Sequence, residues 1–534
     1  MKRSLLLLLI FSLFIVPLPA LAETGDIVDL SLAASWLSAN YQEMALQLQE
    51  TYPDLIYLEE IGASRDGKPL YVLVMTSSVQ QARTRDDFTT FRMHYYVDAG
   101  THARETANPA IVLRQIEDFA LDYYDDTHIP SYNVRGILMK SVIHFIPLVN
   151  PDGHDLTKAG PSSVRTPEAR ALLAAVPDTS YSQWKANIAG VDLNRNYPDR
   201  YVDPVSGQWA NKWQKYLGIY NSDRPAMAHY PGEPASEPET RAIMDYIHRY
   251  DFRNFLTYHS RGRVIYYGYK WHPASYNEKA GEMARLAAGI TGYGLIQDTQ
   301  GKGSGYATEY FTAQTLKPTI TVETVPHGTA TPTEQKYILP AYQEVGLLPL
   351  ALTQLGGKSG YYPYRLYVDG QYIRDFYEPS YAYAHARETG GIIVTGTGRP
   401  EFRLPLTREE ALHKILEERY DLTSLTVDAT DVFGDTRAVL PTFARNQGIV
   451  SRTERFRPAD LATPEEYATM LYNADLILGR VSDESYMDLI PQVPYAAWAD
   501  RPIRYVLYHD LMNPDAFGGR YISLSHIPDH KASI

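Results

Sequence analysis

The stretch THARETANP, Thr101 to Pro109, sets His102 and Glu105 three residues apart directly after the apolar run Met93 to Val97. A histidine and a carboxylate at that spacing can close on one metal ion from a single turn. Zinc accepts both ligand types, and a catalytic zinc takes three protein ligands and leaves its fourth position to water. The third ligand has to come from elsewhere in the chain. His259, in FLTYHSRG, ends a second strand-like run and is the candidate. His-x-x-Glu alone is a weak signal, because such pairs arise by chance and are common on helices.

Outward from this stretch the chain alternates strand and helix patterns. Ile27 to Leu48 has helical spacing, Leu70 to Met75 and Met93 to Val97 read as strands, and Ala110 to Asp122 reads as the helix that follows. Further strands are expected at Ser141 to Val149, Phe255 to Tyr258, Val264 to Tyr267 and Thr319 to Val322, and Ser236 is placed to cap a helix opening with Pro238 and Glu239. Such alternation predicts an α/β fold with a largely buried, mixed sheet. His102, Asn150, His259 and Glu323 then fall at or just past the C-terminal ends of strands, where open α/β sheets place their ligands.

Five more segments follow in order: PLVNPDGHD (Pro147 to Asp155), GVDLNRNYP (Gly190 to Pro198), YPGEPASEPET (Tyr230 to Thr240), YHSRG (Tyr258 to Gly262) and PTITVET (Pro318 to Thr324). With HARETANP they make the chain from roughly residue 30 to 350 resemble the zinc carboxypeptidases of the A/B type. The resemblance implies an eight-stranded mixed sheet flanked by helices and one Zn2+ per chain, held by His102, Glu105 and His259. It implies Glu323 as general base, taking a proton from water and passing it to the leaving amine. It also implies Asn194 and Arg195 as the grip on a substrate's terminal carboxylate, which suits a planar guanidinium. Where the family has an oxyanion-stabilising Arg, the nearest alignable residue is Lys185, which supplies charge without a bidentate fork. The family's mobile capping Tyr has no clear match; Tyr306, in DTQGKGSGY with Gly301, Gly303 and Gly305, is the only tyrosine of that loop.

WKAN, GVDLNRNYP and YHSRGRVIYYGY are most similar to bacterial peptidases that cut the γ-D-glutamyl to diaminopimelate link of wall peptides. Trp184, Tyr266, Tyr267 and Tyr269 either line the substrate cleft or belong to the core, the latter being favoured for aromatics in strand-like segments. His94, His144, His154, His229 and His248 lack motif context and read as packing or surface residues.

The length of 534 residues requires more than one domain. Lys2 and Arg3, the apolar run Leu5 to Val16 and Ala20-Leu21-Ala22 form a secretory signal pattern over residues 1–22, too short to span a membrane comfortably. No cysteine is present, so no disulfide holds this chain. A formal charge of -13 without basic runs argues against nucleic acid as a partner. The expected protein is secreted and cell-wall associated.

After a catalytic domain over 23–355, LGGKSG (Leu355 to Gly360) reads as a junction, and 361–534 as a mainly helical repeat region with copies near 365–420 and 425–475 and a degenerate one over 480–534. Gly391 matches Gly448, Phe402-Arg403 matches Phe456-Arg457, and Thr407 matches Thr463. The repeats resemble S-layer homology modules, which implies an acidic wall polysaccharide as partner and Arg408, in LTREE, as its contact. The second copy carries Pro464 there. The combined expectation is a zinc metallocarboxypeptidase acting on peptides or peptidoglycan stem peptides. The alternatives are a γ-D-glutamyl-diaminopimelate endopeptidase, or a wall-binding surface protein whose peptidase domain has little activity.

Overall fold

A computed structural model of the chain describes residues 27–77, 93–126, 128–176, 178–198, 233–269, 274–298, 305–358, 360–368, 371–395 and most of 406–512, together with 79, 201–202, 209–210, 400–401 and 517. The signal pattern, His229, Gly301, Gly303 and Phe402-Arg403 lie outside the described residues. The chain divides into two compact units, Met1–Asp199 with Lys212–Lys358, and Arg200–Asn211 with Ser359–Ile534.

The first unit is built on one eight-stranded mixed sheet. Its strands are β1 (Ile56–Ala63), β2 (Pro69–Met75), β3 (Met93–Asp98), β4 (Ser141–Ile146), β7 (Phe252–Ser260), β8 (Val264–Tyr269), β9 (Gly294–Asp298) and β10 (Thr319–Thr324), in the order β1-β2-β4-β3-β7-β10-β8-β9. β5 (Tyr201–Val202) and β6 (Trp209–Ala210) form a separate ribbon in the second unit. The four central strands β4, β3, β7 and β10 run parallel. They are buried almost throughout because both their faces are covered, as parallel strands require, and this includes polar residues such as Asn254, Thr257 and Thr319. On one face Tyr96, Phe252, Phe255 and Phe311 pack with Ile243 and Tyr246 into one buried cluster.

Most expected elements are present with shifted ends. The expected helix over Ile27 to Leu48 is instead a 3-10 turn, Leu30–Ser35, followed by the helix Ser38–Thr51. The break has a cause remote in sequence: Ser38 is held from outside, its N–H and hydroxyl donating to Asp155 at 2.6 and 2.5 Å. The strand expected to reach Val149 stops at Ile146, ahead of Pro147. The helix expected to be capped by Ser236 begins one residue later, with Glu237 at the cap and Pro238 in its first turn. β1 and β9, the two edge strands, were not anticipated, since an edge strand needs no full apolar alternation.

The second unit is helical as expected in its larger part and adds a small sheet at its start. It opens with an antiparallel sheet of Tyr364–Val368, Gln371–Phe376, Ile392–Thr395 and Pro400–Glu401. Helices follow at Arg408–Arg419, Val439–Gln447, Pro464–Ile477 and Asp500–Tyr508. They share a core of Leu412, Ile415, Phe443, Ile449, Tyr467, Leu471, Ile503 and Val506. Two of the repeat landmarks have the same local structure. Thr407 and Thr463 each close a capping box with Glu410 and Glu466. The helix-ending glycine that matches Gly448 is Gly390 rather than Gly391, because these two hold the left-handed conformation, φ +68° and +83°. Among the described residues, no helix is long and apolar enough to cross a membrane.

Candidate active site and metal centre

The site grows from the C-terminal edge of the central strands. After β3 the chain runs alongside the end of β4: Ala99 N–H donates to Ile146 O, Val149 N–H to Ala99 O, and Asn150 N–H to Gly100 O, at 3.0 to 3.1 Å. Gly100 has φ +69°, and a Cβ there would lie 2.8 Å from Leu148 Cδ1, so this crossing needs glycine. Asn150 then fastens three segments together. Its side chain accepts from Gly153 N–H at 3.0 Å and donates to Thr101 O and Ala186 O at 3.2 and 3.0 Å. Gly153 lets the fastening close, since its Cβ would come within 2.6 Å of Ala186 O.

Held this way, His102 and Glu105 face one point, with Glu105 Oε1 2.7 Å from His102 Nδ1. His259, on β7, brings its Nδ1 to 3.0 Å from both His102 Nδ1 and Glu105 Oε2. One ligand atom from each of the three buried side chains lies within 4.8 Å of the others. The donor set fits zinc: two imidazole nitrogens and a carboxylate, three protein ligands in all. Asp192 strengthens the fit. Its Oδ1 lies 3.0 Å from His102 Nε2, which places the imidazole proton on Nε2 and turns the Nδ1 lone pair toward the cluster.

Electrostatics follow from burial and from these contacts. Burial, then Lys185, lowers the His102 pKa. Burial also opposes charge on His259, but Glu105 outweighs it and raises that pKa. Glu105 itself is resisted by burial yet lies below the ordinary glutamate range because of the two histidines. Asp192, likewise buried, is held well below its ordinary value by Lys185 and His102.

Glu323 stands on β10 directly opposite His259 in the parallel register, so both side chains leave the same face of the sheet. Burial first, then the charge of Glu105, pushes its pKa up to about 7, against the pull of His259, Lys185 and Arg195. One row deeper, the Thr257 and Thr321 hydroxyls meet at 3.0 Å.

Asn194 and Arg195 sit in a single turn after Asp192. Asn194 Oδ1 accepts from Ala307 N–H at 2.9 Å, and the Arg195 guanidinium lies over the Tyr306 ring at 4.1 Å. Gly305 has φ +73° and is pressed against the Arg195 backbone, where a Cβ would meet the carbonyl at 2.6 Å. Tyr306 therefore stands as the ring under the arginine, at the cap of the helix Ala307–Thr315. Lys185 pairs with Asp192 Oδ2 at 3.4 Å, and its carbonyl accepts from Ala103 N–H.

Of the aromatics named from sequence, Trp184 is core, fully buried with its indole N–H on Asn187 O at 2.9 Å. Tyr269 is buried against Thr308, and Tyr266 is exposed. His94 and His144 form a buried pair at 2.9 Å, with His144 2.6 Å from the Tyr246 hydroxyl, and His154 is buried against Trp36 O. Asp192 is the residue that sequence reasoning passed over, although it stands inside the quoted GVDLNRNYP. A lone Asp beside Asn-Arg carries no signal of contact with a histidine 90 residues away.

In the second unit Arg408 is engaged internally. It pairs with Glu466, donates from Nε to Phe456 O at 2.8 Å and lies over the Phe456 ring.

Residues 41–344 match the family model described as zinc carboxypeptidase, which is more than half of the chain. The chain belongs to the zinc carboxypeptidase family. This member is 29% identical over 234 residues to gamma-D-glutamyl-L-diamino acid endopeptidase 1 of Lysinibacillus sphaericus, covering 43% of this chain and 54% of that protein. It is 27% identical over 256 residues to carboxypeptidase A4 of Mus musculus, covering 47% and 51% respectively. The chain thus spans about half the length of these curated relatives. The crystal structure of thrombin activatable fibrinolysis inhibitor is similar at a TM-score of 0.47 and 20% identity, covering 62% of this chain and 76% of that one. The zinc carboxypeptidase family is a zinc-dependent one, and the cluster of His102, Glu105 and His259 is where this member has the donors for the ion.

Proposed function

We propose that the first unit hydrolyses a peptide bond near a free terminal carboxylate, and that its substrates are bacterial cell-wall stem peptides cut at the γ-D-glutamyl to diamino acid link. The observation that carries the reaction is Glu323 standing opposite His259 on neighbouring strands, beside the three-donor cluster. His102, Glu105 and His259 would hold the zinc ion, which would supply Lewis acidity toward the substrate carbonyl and water. Glu323 takes the proton of the attacking water at a carboxylate oxygen and returns it to the leaving nitrogen, a role suited by a pKa near 7. Asn194 and Arg195 hold the substrate's terminal carboxylate, Arg195 being kept in place by Tyr306 and Gly305. Lys185 adds positive charge for the developing oxyanion while anchored on Asp192.

What supports the substrate class is the likeness to a bacterial endopeptidase named for that bond. A wall setting agrees with the secretion pattern of residues 1–22, and the second unit enters this reading as a wall-contact module of S-layer homology type. Arg408, tied to Glu466, has to leave that partner before it can hold an acidic polysaccharide.

The test is hydrolysis by the zinc-loaded full chain of L-Ala-γ-D-Glu-diaminopimelate and of an α-linked peptide with a free C-terminus, with Glu323→Gln as control. Faster cutting of the γ-linked peptide supports the reading, and preference for the α-linked one makes the protein a general carboxypeptidase. Rates no better than the control for both peptides would leave a wall-binding surface protein in its place.

A further inference from the structure

The loop Ser260–Arg263 joins β7 to β8. Because β10 lies between these strands in the sheet, the loop must arch across the end of β10. It is fastened there, with Gly262 N–H donating to Thr324 O and Val325 O at 3.2 and 3.0 Å. A Cβ on Gly262 would stand 4.0 Å from Glu323 Cβ. Arg261, two residues past His259, is therefore on the rim over the catalytic glutamate, and it is exposed.

The cations around it are already committed. Arg263 grips the Glu344 carboxylate, Lys185 pairs with Asp192, and Arg195 is stacked on Tyr306. Arg261 has no hydrogen-bond or ion-pair partner among the described residues. On the opposite, deeper side of the catalytic row, Thr257 and Thr321 close the floor. A substrate whose terminal carboxylate is held by Asn194 and Arg195 has its free end on the inside, so the residue before the cut bond lies toward the open rim.

We propose that Arg261 is a specificity-determining residue that receives the free carboxylate of the residue on the amino side of the cut bond. The inference rests on the stem-peptide reading above and names the group of that substrate which is read. In a γ-linked glutamate the side-chain carboxyl forms the bond to be cut, so the α-carboxylate stays free a few bonds from the reacting carbon. An α-linked neutral residue at the same place offers no anion there. A guanidinium meets a carboxylate with two parallel donors, and in a chain of net charge -13 a free cation at the rim also favours entry of an anionic substrate.

The experiment compares two γ-linked substrates on the zinc-loaded full chain: L-Ala-γ-D-Glu-diaminopimelate, and the same peptide with the glutamate α-carboxylate replaced by a carboxamide. The wild type is expected to prefer the carboxylate by about ten- to a hundredfold in kcat/KM, the range for a hydrogen bond to a charged group. Arg261→Gln should bring that ratio close to one, whatever happens to the absolute rates, and Arg261→Lys should keep part of it. A ratio near one in the wild type, or an unchanged ratio in Arg261→Gln, overturns the assignment while leaving the stem-peptide reading standing. If neither γ-linked peptide is cut while an α-linked one is, the substrate reading falls and Arg261 with it. The side chain is exposed, so the variants should fold; equal thermal midpoints and zinc contents confirm that the ratio is read on intact protein.

Discussion

Two regions of the molecule, the helices of the second unit and the sheet edge of the first, treat inward-facing charge in opposite ways. In the second unit charges brought together are paired off: Arg408 with Glu466, Arg419 with Asp475 at 2.8 Å, and Arg445 with Asp431 at 2.7 Å. At the sheet edge of the first unit, His102, Glu105 and His259 instead converge on one point, backed by Asp192 and overlooked by Glu323. The first pattern spends charge on holding helices together. The second accepts the cost of burial to concentrate ligands and a base where a cation and a substrate can meet. Charged residues in a short motif mean chemistry when the fold aims them at a common point, and architecture when it pairs them.

The largest effect should come from removing the base. Glu323→Gln is expected to lower kcat by about 10²- to 10⁴-fold with zinc content unchanged, as read by metal analysis beside the hydrolysis assay. Retained activity would move the base elsewhere. Next, Asp192→Asn keeps the shape but removes the charge that fixes His102, and should weaken zinc binding by about ten- to a hundredfold in a competition titration with a chelator. An unchanged affinity would make Asp192 a partner of Lys185 alone.

pH sharpens the same contrast. Glu323 has to be ionised to accept a proton, and its pKa is pushed up to about 7, so kcat/KM should fall as pH drops below that value. Bound zinc adds positive charge nearby and moves this limb downward. The limb is therefore expected between about 7 and the unperturbed glutamate value of about 4.3, and a limb below the latter would show that burial and Glu105 do not govern it.

The smallest effect belongs to the second unit. Thr463→Ala removes the capping hydroxyl from the helix Pro464–Ile477 and should cost about 1 kcal/mol in the unfolding of that unit. Peptidase kcat/KM should stay as in the wild type. A matching fall in activity would break the separation drawn between a charge-pairing unit and a charge-focusing one.

Much of the focusing unit was legible in the sequence because its chemistry is dense. His102 and Glu105 share a turn, and His259 and Glu323 end strands rich in β-branched and aromatic residues. The edge strands β1 and β9 and the break after Ser35 were not legible, because each is decided by partners distant in sequence, as Ser38 is by Asp155. Asp192 stayed hidden for the same reason. The capping boxes of Thr407 and Thr463 were visible because they are local, and the helix-ending glycine Gly390 was missed by one residue. The sheet of residues 364–401 was not read from its tyrosine-rich strands, and Arg408 looked free because Glu466 lies 58 residues further on.

The register of β7 and β10 has an evolutionary consequence. His259 and Glu323 are adjacent in space but 64 residues apart along the chain, as Thr257 and Thr321 are one row below. A one-residue insertion inside either strand would turn its member of the pair to the opposite face. Within the excursion between them β8 has to keep its pairing with β10, and Gly305 and Tyr306 their place against Arg195, whereas the helix Ala274–Thr291 carries none of the reacting groups. A lineage can therefore vary that helix, while the two short strands that carry the reacting pair accept no insertion.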